Sequence, residues 1–167
     1  YSHSFKLPIV ITRGNNVYGP NQYPEKLIPK FIQQLQSNKK VTIQGDGTAQ
    51  RSFIHVLDAV KAFELILTKG KIGEIYNIGA TDEMEHSVLD VAKILIELIH
   101  KTKSHEDWIE FVEDRPFNDS RYYISSEKME KLGWKPNIDF IEGIKQLIGE
   151  KNIHSGVSTA ATRLHYG

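Results

Sequence analysis

The sequence contains no cysteine. No disulfide can staple the fold, no thiol can act as a nucleophile, and no cysteine-based zinc site can form. It also has no net charge, because 21 Lys and Arg balance 21 Asp and Glu. That balance argues against broad electrostatic binding to nucleic acid or anionic membrane and leaves room for a local basic pocket. No apolar run approaches the roughly 18 residues that a membrane-spanning helix needs. The opening "YSHSFKLP" lacks the pattern of a signal peptide, and the absence of cysteine fits a cytoplasmic setting. Three phosphate-binding signatures are missing as well: G-x-G-x-x-G, G-x-x-G-x-x-G and the P-loop. The seven histidines are scattered, with no H-x-x-x-H metal spacing.

What is present is an ordinary globular composition. The chain has 167 residues, 40% of them hydrophobic and 25% charged, enough for one domain with a core. Short apolar runs alternate with helical periodicities. "PIVIT" (8–12) reads as a strand buried on both faces. Leu27, Ile28, Phe31, Ile32 and Leu35 recur at helical spacing. "VTIQ" (41–44) and "RSFIHV" (51–56) read as strands on either side of the turn "GDG". Asp58 is placed to cap a helix that Gly70 ends. "EIYNIG" (74–79) is a strand running into glycine. Ser87 and Asp90 form a capping-box start to an apolar helix reaching Ile99. "WIEFV" (108–112) alternates as a strand, Ser125 or Ser126 opens a short helix, and Asp139 with Glu142 opens the last one. The order predicts an α/β protein. Residues 1–150 form the organised part. Residues 151–167, small and polar, form a tail without periodicity.

Three polar constellations follow strands. The first is Asn15, Asn16, Tyr18, Glu25 and Lys26, in a loop far more polar than a simple connection requires. The second is Arg51 with Asn77. The third is Arg115, Asn118, Asp119, Arg121 and Tyr122. Arginine forks suit phosphate oxygens, and asparagine amides suit sugar hydroxyls or a base. Each piece also has a structural reading. Asn16 can close an Asx turn, Arg51 or Arg115 can sit in an ion pair (Asp114 adjoins Arg115), and Tyr18 or Tyr122 can belong to the edge of a core. Spacing alone reaches an anion-binding α/β domain.

Five segments carry a resemblance. "TRGNNVYGPNQYPEKLIPKFI", "GDGTAQRSFIHVLDAVKAF", "GEIYNIG", "DRPFNDSRYYISSEKMEKLGWKP" and "EGIK" occur in order. They look like the C-terminal half of nucleotide-sugar 4,6-dehydratases, UDP- or dTDP-glucose enzymes of the extended short-chain dehydrogenase/reductase family. "RGNNVYGPNQ" and "RPFND" lean toward the UDP enzymes. The resemblance implies a Rossmann-type architecture in which the last sheet strands interleave with a small mixed substrate-binding domain. It implies a nucleotide-sugar ligand, an NAD cofactor bound mainly by a preceding half, and a homodimeric complete enzyme in rhamnose-type sugar biosynthesis. In that family Asn16 matches the asparagine on the substrate diphosphate, and Lys26 and Leu27 match positions lining the nucleotide side. Arg51 and Arg115 match the arginines gripping the diphosphate, Asn77 a pocket asparagine, and Tyr122 a pocket-closing position. Gln44 stands where bacterial relatives often carry an aromatic against the base. The resemblance implies no catalytic residue here, since the Tyr-x-x-x-Lys pair is expected upstream and the Lys of "YSHSFK" stands five residues after Tyr1. The chain by itself is therefore expected to be inactive. An epimerase or decarboxylase of the same family, which shares "NVYGP" and "YNIG", and a non-catalytic nucleotide-sugar binding module are the alternatives.

Overall fold

A computed structural model describes residues 1–81, 84–114, 121–122 and 124–154. A short helix α1 (Ser2–Phe5) precedes β1 (Ile11–Gly14) and β2 (Asn16–Tyr18). Then come α2 (Leu27–Gln36), β3 (Val41–Gln44), β4 (Gln50–His55), α3 (Val56–Lys69), β5 (Ile75–Ile78) and β6 (Glu85–Ser87). The chain continues through α4 (Val88–His100), a 3-10 turn (His105–Trp108), β7 (Ile109–Val112), β8 (Arg121–Tyr122), α5 (Glu127–Lys131) and α6 (Phe140–His154).

The described strands form three small sheets. β1 pairs in parallel with β5, setting Arg13 opposite Asn77. β3 pairs in parallel with β7, setting Gln44 opposite Val112. In the third, β4 is central, with β2 and β8 parallel to it and β6 antiparallel. β1 and β2 are nearly one strand. Gly14 still pairs with Ile78 and Asn16 already pairs with Phe53, so the chain changes sheets at Asn15.

Local sequence explains most element ends. Ser87 caps α4 by a full capping box. Its hydroxyl accepts from the Asp90 backbone N–H at 3.0 Å, and the Asp90 carboxylate accepts from the Ser87 N–H at 3.1 Å. Asp139 accepts from the Glu142 N–H at the start of α6. Two expectations change. Asp58 does not cap α3. The His55 ring accepts from the Leu57 N–H instead, and the buried Asp58 carboxylate accepts from the backbone N–H groups of Asn137 and Ile138. The strand expected over 8–12 lies at Ile11–Gly14 and is solvent-exposed along its length, because β5 is its one partner among the described residues. The proposed tail boundary falls within α6, which continues to His154; residues 155–167 lie outside the described residues.

Two hydrophobic clusters result. One gathers α2, β3, α4 and α6 around Phe31, Ile32, Leu35, Ile43, Leu95, Ile96 and Ile144. The other joins α3, β5 and α5 through Ile54, Ala62, Ile66, Tyr76, Ile78, Met129 and Trp134.

Candidate functional site

The carboxyl ends of β2 and β3 and the start of α2 open on a cleft of about 970 Å³. That is the size of a site for a substantial organic ligand. The loop after β2 supplies Gln22, Glu25 and Lys26. α2 contributes Leu27 and, one turn on, Lys30. β3 contributes Thr42 and Gln44, and β4 contributes Arg51 and Phe53.

The turn 45–48 forms one wall. Gly45 and Gly47 take left-handed φ values of 61° and 73°, which residues with a Cβ rarely adopt. Asp46 fixes the turn by accepting from the Thr48 N–H at 2.9 Å and the Thr48 hydroxyl at 2.7 Å. Those bonds hold its carboxyl below the usual carboxylate range. The Gly47 carbonyl accepts from the Leu89 N–H at 3.0 Å, so the turn is seated on the first turn of α4.

The cleft is lined by both signs of charge. Lys26, Lys30 and Arg51 bring positive charge; Glu25, Asp46 and Asp114 bring negative charge. Arg51 is half-buried and donates to the Gln50 carbonyl at 2.7 Å. Its neighbours in the sheet are His86 on β6 and Tyr122 on β8. The His86 ring packs on Phe140 with centroids 4.4 Å apart and a tilt of 32°, and burial pushes its imidazole pKa down, favouring the neutral form.

Tyr18 lines the inner end. Its ring meets Phe53, His55 and Phe140 edge-on, and its hydroxyl donates to the Phe140 carbonyl at 3.4 Å. Burial holds its phenol far above the ordinary range, and Asp139 and Asp58 push the same way. Tyr18 is therefore a structural wall and not a proton carrier near neutral pH.

Of the residues singled out in the sequence, Asn16, Lys26, Leu27, Gln44 and Arg51 line this one cleft. Asn77 lies elsewhere, on β5, donating its amide to the Ser125 carbonyl at 3.1 Å. The backbone of Tyr122 pairs beside Arg51. Arg115 lies outside the described residues. Sequence reasoning passed over Lys30, which stands in the first turn of α2 after its N-cap Lys26. It also passed over Asp46 and Asp114 as lining groups. Among the described residues no cluster of three or more His, Cys, Asp or Glu could hold a metal ion. No helix among them is long and apolar enough to cross a membrane.

Known proteins resemble this chain in sequence and fold. A dTDP-D-glucose 4,6-dehydratase of Mus musculus is 52% identical over 160 residues, covering 93% of this chain and 44% of the mouse protein. A trifunctional protein of Arabidopsis thaliana, whose name begins with UDP-glucose 4,6-dehydratase, is 47% identical over 87% of this chain and 21% of its own length. The crystal structure of a dTDP-glucose 4,6-dehydratase from Streptomyces venezuelae with NAD bound superposes with a TM-score of 0.86. That match has 32% identity and covers 93% of this chain and 47% of the other. The fold is thus that of Rossmann-type extended short-chain dehydrogenase/reductases, and the chain spans less than half the length of these relatives. A family model described as GDP-mannose 4,6 dehydratase matches residues 1–147, and the chain belongs to that family.

Proposed function

We propose that this chain is the nucleotide-sugar-binding portion of an NAD-dependent dTDP- or UDP-glucose 4,6-dehydratase, which forms the 4-keto-6-deoxy sugar nucleotide. The observation that carries this reading is the convergence of Asn16, Lys26, Lys30, Gln44 and Arg51 on one cleft at strand ends. Cations in the cleft suit a diphosphate, and neutral amides suit its uncharged attachments. The names of the relatives supply the reaction class, and their higher identities favour a dehydratase over a UDP-glucuronic acid 4-epimerase of Bacillus cereus, 28% identical with a TM-score of 0.81.

In this reading Arg51 grips the diphosphate from β4, with Arg115 as a second grip and Tyr122 beside it. Lys26 and Leu27 border the nucleotide. Gln44 meets the base through hydrogen bonds, since an amide cannot supply the stacking surface of an aromatic. NAD is the hydride carrier of the complete enzyme. The residues present do not fit it, because no strand here runs through a glycine-rich turn into a helix that would take its pyrophosphate. We assign NAD and the proton-transfer pair to the part of the longer protein that this chain does not represent. We also place the complete enzyme in the cytoplasm as a homodimer.

The test is calorimetric titration of the complete gene product with UDP and dTDP, with turnover of UDP-glucose and dTDP-glucose followed in parallel. Arg51→Ala should weaken diphosphate binding by roughly 2–3 kcal/mol, the scale of a lost charge-assisted hydrogen bond. Unchanged affinity in Arg51→Ala removes the assignment of that residue. Absence of a 4-keto product from either sugar nucleotide removes the dehydratase reading.

A further inference from the structure

Asn15 carries an unexplained feature. Its carboxamide oxygen and nitrogen are both shielded from solvent, and neither has a hydrogen-bond partner among the described residues. A buried amide left unpaired costs stability, so such groups are rare and call for a reason. The backbone gives none: the Asn15 N–H is already satisfied, donating to the Ile78 carbonyl at 3.2 Å. The residue stands where β1 leaves β5 and β2 joins β4, at the point where the chain changes sheets. Asn15 thus follows the carboxyl end of β1, and in α/β proteins the crevice beyond strand carboxyl ends is where ligands sit. Asn15 also lines the cleft that holds Lys26, Lys30 and Arg51.

We propose that Asn15 is a sugar-reading residue of this cleft, its carboxamide pairing with two neighbouring hydroxyls of the glycosyl group. The inference rests on the proposed nucleotide-sugar reading and adds a named contact to it. Charge assigns the partners. The three cations take the anionic diphosphate, whereas a neutral amide offers one acceptor and two donors. Vicinal hydroxyls give and accept at adjacent atoms, which matches that set. The bound sugar then supplies the partners the amide lacks.

The experiment compares each nucleotide with its own sugar derivative, UDP with UDP-glucose and dTDP with dTDP-glucose. It uses the complete gene product as wild type, Asn15→Ala and Asn15→Asp. Asn15→Ala should lose about tenfold in affinity for the sugar nucleotide, the worth of one good hydrogen-bonded contact, with affinity for the bare nucleotide unchanged. Its thermal midpoint without ligand should stay level or rise, because the unpaired amide is gone. Asn15→Asp should lose more for the sugar nucleotide than Asn15→Ala, since it adds a negative charge to a cleft that takes an anionic ligand. Equal losses for nucleotide and sugar nucleotide, or no loss in either, overturn the inference while leaving the proposed function standing. A lowered midpoint in Asn15→Ala overturns it too, by showing that the amide serves the fold. A wild-type protein that binds no member of either pair overturns the proposed function and this inference together.

Discussion

The two hydrophobic clusters of this molecule are built from similar residues and finished differently. α2 and α4 bury their apolar stripes fully. Ile28, Phe31, Ile32 and Leu35 on one helix face Val91, Leu95 and Ile96 on the other, and Leu35 and Leu95 are 0% exposed. α3 keeps Ala59, Ala62 and Ile66 inside but turns Leu57, Val60, Phe63 and Leu67 outward, the last 87% exposed. These four recur at helical spacing and form a second stripe. β1, paired with β5, is exposed throughout, with Ile11 49% exposed. The closed cluster sits behind the cleft and fixes its walls. The open one buries Ile54, Ala62, Ile78 and Met129 and adds polar ties at its edge, from Asn137 and Ile138 to Asp58. Helix periodicity is the same in both, so periodicity alone does not say which apolar face has a neighbour.

The contrast can be broken most severely from the closed side. Leu95→Ala should destabilise the protein by about 2–5 kcal/mol, since a fully packed site collapses poorly around a cavity. Chemical denaturation checks this, and a cost below ~1 kcal/mol would mean that α4 is less tightly held than its burial implies. A polar tie comes next. Asp58→Ala leaves the N–H groups of Asn137 and Ile138 without their acceptor and should cost about 1–3 kcal/mol in the same measurement. A near-zero effect would show that water replaces the carboxylate easily. The smallest effect belongs to the outward stripe. Leu67→Gln should change stability by no more than about 0.5 kcal/mol, as exposed substitutions do, while reducing self-association of the isolated chain in sedimentation. A large loss of stability there would mean that the stripe is covered in solution, and the two clusters would then be alike.

Much of this was legible in the sequence where the signal is local. The Ser87–Asp90 capping box, the periodicity of α2 and the short strands 41–44 and 75–78 are read from neighbours along the chain. Asp58 was misread as a helix cap because its real partners, Asn137 and Ile138, lie far away in sequence. "PIVIT" has the composition of a doubly covered strand, yet burial depends on partners that composition does not specify. The cleft shows the same division. Asn16, Lys26, Gln44 and Arg51 were found through their motifs, whereas Lys30, Asp46 and Asp114 join it only once α2, the glycine turn and the residues after β7 are brought side by side. The unpaired amide of Asn15 is a property of packing, and no spacing rule announces it.

The strand pairing has a kinetic consequence. Ile11 pairs with Ile75 and Val41 with Ile109, both in parallel, and neither pair is joined by a hairpin. Sheets closed by such distant partners fold slowly, because chain entropy is lost before the contacts that reward it are made. During synthesis α2 and β3 emerge before β7, and β3 cannot be completed until Ile109 has left the ribosome. Until then the floor of the cleft is an unfinished edge, and the cell must keep a half-made chain from finding the wrong strand to complete it.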